Sequence, residues 1–209
     1  MKPTSCIGCT LYDQPWLEDI CTMGRESEVK ALFIGKCPTL IEIKNVHSFS
    51  DKPWTLFKAS ISEFPVLPKL TYLVKCAPPG DRSPNKKEIN QCMELLIEEM
   101  ETLKNLELVV CIGDTVMNAV LAKKGITKLN GSIFFDTPIP TAVCIDPEYA
   151  LRTGDLEMLE KGIVPTISYF SGPELALEYT KLNDVPFILT GLVSTDIETT
   201  GKRPLQGNV

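Results

Sequence analysis

Four cysteines in this chain are spaced as a ligand set. Cys6 and Cys9 form a C-x-x-C pair in Ser5-Cys6-Ile7-Gly8-Cys9, where Gly8 permits the tight backbone that points two thiolates at one centre. Cys76 and Cys92 flank a rigid, turn-rich segment, Ala77-Pro78-Pro79-Gly80-Asp81-Arg82-Ser83-Pro84. Four thiolates suit either tetrahedral zinc or an iron–sulfur cluster, and spacing alone does not separate the two. A second candidate lies near the other end, where Asp196 and Glu198 stand two residues apart in the run from Phe187 to Gly201. On a strand they share one face, and such a pair can hold divalent metals for phosphodiester hydrolysis. Cys21, Cys37, Cys111 and Cys144 stand outside this set; Cys111 and Cys144 lie in apolar runs and read as core packing, and Cys37, beside Lys36, reads as a buried spectator. His47, the single histidine, reads as a surface residue.

Elements that could position these groups are legible in the apolar pattern. Short apolar runs at 29–35, 70–75, 107–113 and 141–145 read as buried strands of a parallel sheet. Helical stretches separate them. The clearest follows Ser83-Pro84-Asn85, with Ile89, Cys92, Met93, Leu95, Leu96 and Met100 at helical spacing, and Asp114 is expected to cap another. Alternating strands and helices predict a three-layer α/β/α domain around a central, mostly parallel four-stranded sheet. Gly35 and Gly113 end two of the strands, which suits ligand approach at the carboxyl edge. After residue 150 the pattern predicts a helix to Glu160, a Gly/Pro-punctuated segment from Gly162 to Pro173, and a short helix from Glu174 to Leu182. A boundary near Asn183-Asp184 divides the chain into 1–182 and a linker with the first strand of another domain, 183–209.

The chain has 209 residues, eight of them cysteine, and a net charge of −6. That charge argues against a broad, sequence-independent grip on nucleic acid, which depends on Lys and Arg neutralising phosphates. Lys69, Lys75, Arg82, Lys86 and Lys87 gather around the Pro-rich loop, and Lys123, Lys124 and Lys128 form a second group; both read as solvated charge. No stretch approaches the roughly 20 apolar residues needed to span a bilayer, so no membrane partner is expected. Met1-Lys2-Pro3-Thr4-Ser5 lacks the apolar core of a secretory signal. Reduced thiols in the cytoplasm are therefore expected, the cytoplasm of a host cell if the protein is phage-encoded.

From Cys6 to about Arg152 the chain resembles the iron–sulfur (family 4) branch of the uracil-DNA glycosylase superfamily. The best-matched element is Val74-Lys75-Cys76-Ala77-Pro78-Pro79-Gly80-Asp81-Arg82-Ser83-Pro84, followed by Glu88-Ile89 and Cys92, which looks like that branch's K-C-R-P-P-x-N-R-x-P loop and helix. The resemblance implies a 4Fe-4S cluster on Cys6, Cys9, Cys76 and Cys92 that braces loops meeting DNA, with zinc as the alternative. Asp196-Ile197-Glu198-Thr199-Thr200-Gly201 resembles the first metal-binding motif of proofreading 3′-5′ exonucleases. Together the two resemblances imply the amino-terminal part of a longer chain, similar to phage family A DNA polymerases. Its implied partners are DNA, downstream exonuclease and polymerase domains, and replication proteins.

The residues that would excise uracil are altered. Excision needs a carboxylate beside the sugar, an amide to read the base and a group to stabilise the departing anion. Where the family has G-E-A-P-G, this chain has Gly35-Lys36-Cys37-Pro38-Thr39, with a cation in place of the acid; Glu42 follows nearby. Tyr72 stands at the position of the uracil-reading Asn, and Asp146, followed by Glu148, at that of H-P-S. Trp54 matches the aromatic residue that stacks on the flipped base, a task worth ~1–3 kcal/mol per base, although a core position is an equal reading. Arg82, Leu151 and Arg152 are the further expected DNA contacts. The leading expectation is a domain that has lost base excision and serves a polymerase through DNA or protein contacts. The alternatives are an active glycosylase with a reassigned site built on Lys36, Glu42 or Asp146, and a zinc-stabilised interaction domain.

Overall fold

The computed structural model describes residues 2–17, 25–45, 49–62 and 64–172. Five strands, β1 (Ala31–Gly35), β2 (Pro68–Tyr72), β3 (Leu108–Ile112), β4 (Ile133–Phe134) and β5 (Thr141–Cys144), form one sheet in the order β2-β1-β3-β5-β4. All neighbours are parallel except β4, which runs antiparallel to β5. The expected layered class holds, with five strands where the apolar runs predicted four. The fifth escaped notice because it is two residues long and only half-buried.

Side chains alternate across the sheet, as the period of two requires. Ala31 and Phe33 of β1 point to one face and Leu32 and Ile34 to the other. On the first face lie α2 (Lys52–Ser60), α6 (Pro147–Thr153) and α7 (Leu156–Ser171), with Phe57, Leu70, Val110, Ala150 and Leu159 in one core. On the second lie α3 (Lys86–Thr102) and α4 (Asp114–Leu121), with Val109, Cys111, Leu96, Val116 and Leu11 in the other. The short helices α1 (Leu40–Asn45) and α5 (Ile126–Leu129) follow β1 and α4.

Several boundaries differ from expectation. Strand β2 starts two residues before the predicted 70–75 run and ends three residues short of its end; Leu73 and Val74 leave the ladder while still donating to the Gly35 and Lys36 carbonyls at 2.7 and 3.1 Å. Asp114 is the first helical residue of α4, and Gly113, at φ +88°, is the cap. Most of the predicted break from Gly162 to Pro173 is instead the continuous end of α7, which runs through Gly162 and Pro165 to Ser171 with Gly172 as its cap; Pro173 lies outside the described residues. Tertiary packing overrides local propensity here. A Cβ on Gly162 would come within 2.6 Å of Cys144 Sγ, so the glycine lets the helix lie directly on β5. The 174–182 helix, the 183 boundary, His47 and Cys21 lie outside the described residues.

Candidate functional site

Cys6, Cys9, Cys76 and Cys92 line one cavity, although two come from the amino terminus and two from beyond β2. Local backbone explains how. The chain turns at Thr4–Cys6, and Gly8 adopts φ +84°, which a side chain rarely tolerates. The following residues are stitched to the loop after β2. Trp16 bridges Cys76, Leu17 N donates to Lys75 O at 3.3 Å, and Ala77 N donates to Pro15 O at 3.1 Å. Cys92 arrives from the second turn of α3, whose start is set by a capping box in which Asn85 accepts from Lys87 N and Glu88 N, and Glu88 accepts from Asn85 N.

Cys76 and Cys92 are 7% and 8% exposed, and Cys6 and Cys9 are half-buried. Burial pushes the Cys76 thiol up to about 11 and raises those of Cys92 and Cys6, with neighbouring thiols adding to each rise. Two backbone amides face sulfur, Leu11 N to Cys9 Sγ and Lys75 N to Cys92 Sγ, both at 3.4 Å. Among the described residues no three His, Cys, Asp or Glu side chains close to the spacing of a single metal ion. The four thiols share a cavity without meeting that spacing. A lone zinc with Zn–S bonds of about 2.3 Å needs its sulfurs about 3.8 Å apart. A polynuclear cluster binds each thiolate to a different iron and spreads them. The donor set, four thiols lining one cavity, suits either group.

The opposite face carries the positions expected to excise a base. Lys36 follows β1, Tyr72 ends β2 and Asp146 follows β5, so all three gather at the carboxyl edge of the sheet. Asp146 is the N-cap of α6, accepting from Glu148 N at 2.8 Å. Its Oδ2 lies 3.4 Å from where a Cβ on Gly113 would stand. Burial raises its carboxyl above the usual range and Glu148 adds to this, while the Glu148 amide, Lys36 and Arg152 oppose it. The Cys37 thiol is pushed up to about 12 by burial, so nearness to Lys36 does not activate it.

Tyr72 is fully buried. Its hydroxyl donates to Glu42 Oε1 at 2.6 Å and accepts from Phe49 N at 3.0 Å. Burial, then the Glu42 carboxylate, raises its phenol far above the usual value. Glu42 is also fully buried and fully engaged. Oε1 accepts from Ser50 N, and Oε2 from Thr39 N and Thr39 Oγ1, closing the start of α1. The ring of Phe49 lies flat on Tyr72, with centroids 4.0 Å apart, and meets Trp54 edge-on at 4.6 Å. Trp54 is 7% exposed, and its ring abuts Gly35 so closely that a Cβ there would come within 2.8 Å. The space between the aromatic expected to stack on a base and the residue at the base-reading position is therefore filled by Phe49.

The remaining expected contacts are distributed unevenly. Arg82 makes a two-pronged pair with Glu88, at 2.9 and 2.6 Å, and so is engaged inside the chain. Arg152 is exposed on α6, over the Tyr149 ring at 5.7 Å, and Leu151 beside it is half-buried. The basic group around the Pro-rich loop shrinks. Lys69 and Lys75 are buried, paired with Glu26 and Glu99, and Lys75 also donates to Thr71 Oγ1. Asp196 and Glu198 lie outside the described residues.

Residues 22–168 match the model of the uracil DNA glycosylase superfamily. The chain belongs to that superfamily. It is also 26% identical to a type-4 uracil-DNA glycosylase of Sulfurisphaera tokodaii over 170 residues, 69% of this chain and 77% of the relative. The matched superfamily region takes in Cys76, Cys92, Lys36, Tyr72 and Asp146 and begins after Cys6 and Cys9. Sequence reasoning missed Phe49, which no motif marks. It also missed the linking role of Glu88, which the Asn85-x-x-Glu88 capping pattern could have disclosed. No described helix is long and apolar enough to cross a membrane.

Proposed function

We propose that this domain is a uracil-DNA glycosylase scaffold that no longer excises bases and serves DNA or protein contacts in replication, with a 4Fe-4S cluster on Cys6, Cys9, Cys76 and Cys92. The observation that carries this reading is Phe49, stacked on Tyr72 and wedged against Trp54. A flipped base has to stack and be read in a pocket, and here the protein's own ring takes that room. Electrostatics point the same way. Lys36 would oppose positive charge building on the sugar, and Asp146 would oppose a departing uracilate. Bound in the cavity, the cluster supplies rigidity, tying the amino-terminal turn to the loop before α3. The Asp196-x-Glu198 pair supports a polymerase chain with a proofreading exonuclease as the setting of the domain, and exposed Arg152 supports a DNA contact.

The test is uracil release from single- and double-stranded uracil-containing DNA, with protein purified without oxygen and iron measured on the same sample. The expected result is iron in the protein, no released uracil and retained DNA binding, with iron lost in Cys92→Ser. A second reading, an active glycosylase with a reassigned site, draws on the raised carboxyl of Asp146 beside Lys36, a possible acid at the sheet edge. Base release that disappears in Asp146→Ala or Lys36→Ala establishes this second reading and overturns the first.

A further inference from the structure

We infer that Lys2 belongs to the cysteine centre, as the clamp that closes the amino-terminal cysteine loop and as the built-in counter-charge of the cluster. This rests on the reading that the four cysteines hold a cluster. The Lys2 ammonium donates to three carbonyls of one turn, Leu11 O at 2.9 Å, Tyr12 O at 2.5 Å and Gln14 O at 2.6 Å. Three acceptors thus converge on a group with three protons. The same charge acts on the Cys76 and Cys6 thiols across the cavity that Lys2 lines with them.

Three carbonyl oxygens gathered in one turn repel each other, and a long side chain fixed against them gives up rotamer freedom worth ~2 kcal/mol. The return is charge-assisted hydrogen bonding and a cation at a defined place. That place is the wall of the cysteine cavity, which Lys2 lines together with all four cysteines, Leu11 and Val74. No other cation lines it among the described residues. Lys75 is next to Cys76 in sequence, but its ammonium bonds Thr71 and Glu99, and it reaches Cys92 through its backbone amide and, at longer range, through its charge. The Glu88 carboxylate, also at the wall, is neutralised by Arg82.

Four thiolates around an iron–sulfur core leave a negative group in a partly apolar cavity. A fixed cation stabilises it, and stabilises its reduced form more, since that form carries one further negative charge. Removing the charge therefore lowers the reduction potential, whichever couple is observed.

The experiment compares wild type, Lys2→Met and Lys2→Arg, loaded without oxygen, for iron per chain, rate of iron loss to a chelator and midpoint potential. Lys2→Met is expected to lose iron about tenfold faster and to shift the reduction equilibrium about tenfold, a fall of about 59 mV for one electron. Lys2→Arg keeps the charge and is expected to recover most of the potential while recovering less of the chelator resistance, because a planar guanidinium cannot reach all three carbonyls alike. Failure of Lys2→Met to load iron while Lys2→Arg loads it also supports the assignment. An iron-loaded Lys2→Met with the wild-type potential and chelator resistance overturns the role of Lys2 alone. A wild-type protein without iron overturns the cluster reading beneath it.

Discussion

The cysteine cavity and the aromatic recess are separated by only a few residues of chain, since Tyr72 faces one core and Cys76 the other. In the cavity, groups from distant segments aim into a shared space, and each charge at its wall has a partner: Lys2 its carbonyls, Glu88 its Arg82. In the recess the space is filled with carbon, and carboxylates gather around it. Asp51, Glu42, Asp146 and Glu148 interact there, with Lys36 the nearby cation. These are the opposite signatures that the proposed function expects of a region that holds a group and one that no longer admits a base.

Phe49→Ala should break the comparison most severely, by reopening the recess. The ring is fully buried between Tyr72 and Trp54, and truncating such a residue costs about 3–5 kcal/mol. At this chain length that lowers the thermal midpoint by ~6–20 °C. On the proposed function the variant should release no uracil, because Lys36 and Asp146 remain in place. A loss below ~1 kcal/mol in a urea melt would show that the ring does not pack as described, and uracil release by the variant would make Phe49 a gate over a working site.

Glu88→Gln sharpens the other side. The wild-type carboxylate is 1% exposed and accepts from Arg82 twice, from Asn85 N and from Thr10 Oγ1, so it ties α3 to the Pro-rich loop and to the amino-terminal cysteine turn. Hydrogen bonding from Arg82 holds its pKa at about 2, well below the ordinary 4.5. An acid whose folded pKa is depressed contributes stability that is complete above the unfolded value and is lost as pH falls through the folded one. Glu88→Gln should therefore cost about 1.5–3 kcal/mol at pH 7, and the gap to wild type should close between about pH 4.5 and 2. Urea melts across that range measure it; a gap independent of pH would mean that the ion pair with Arg82 contributes no net stability.

What could be read from residues alone divides along the same line. The sheet was visible because each central strand is buried on both faces and therefore written as an unbroken apolar run. The four cysteines were visible because a ligand set needs particular atoms, and substitution by another residue type would erase them. Phe49 was invisible, since an apolar residue in a loop looks the same whether it covers a surface or fills a vacated pocket. The ambiguity of Trp54 had the same origin, and only the contacts with Gly35 and Phe49 place it among the core aromatics. The continuity of α7 through Pro165 was hidden because the backbone position that accommodates it, Gly131, is more than 30 residues away; a Cβ there would come within 2.5 Å of the Lys161 carbonyl that Pro165 leaves without an amide.

The mildest test concerns the crowded carboxylates around the recess. Asp51 is the N-cap of α2, accepting from Trp54 N at 3.2 Å, and its pKa is pushed up to about 6, by burial first and then by Glu42, Glu148 and Asp146, against the capping bond. An acid whose folded pKa lies above its unfolded value of 3.8 binds its proton more tightly when folded, so its charge costs stability above about pH 6 and that cost is relieved as pH falls towards 3.8. Asn can accept the same capping bond without the charge. Asp51→Asn should then stabilise the domain by ~1 kcal/mol at pH 7, a figure reduced for solvent screening, and make no difference below pH 3.8. Stabilisation that persists at pH 3.5 would assign the gain to packing. A loss at pH 7 would mean that the ionised cap on Trp54 outweighs the repulsion, and that the recess is less crowded with negative charge than the fold implies.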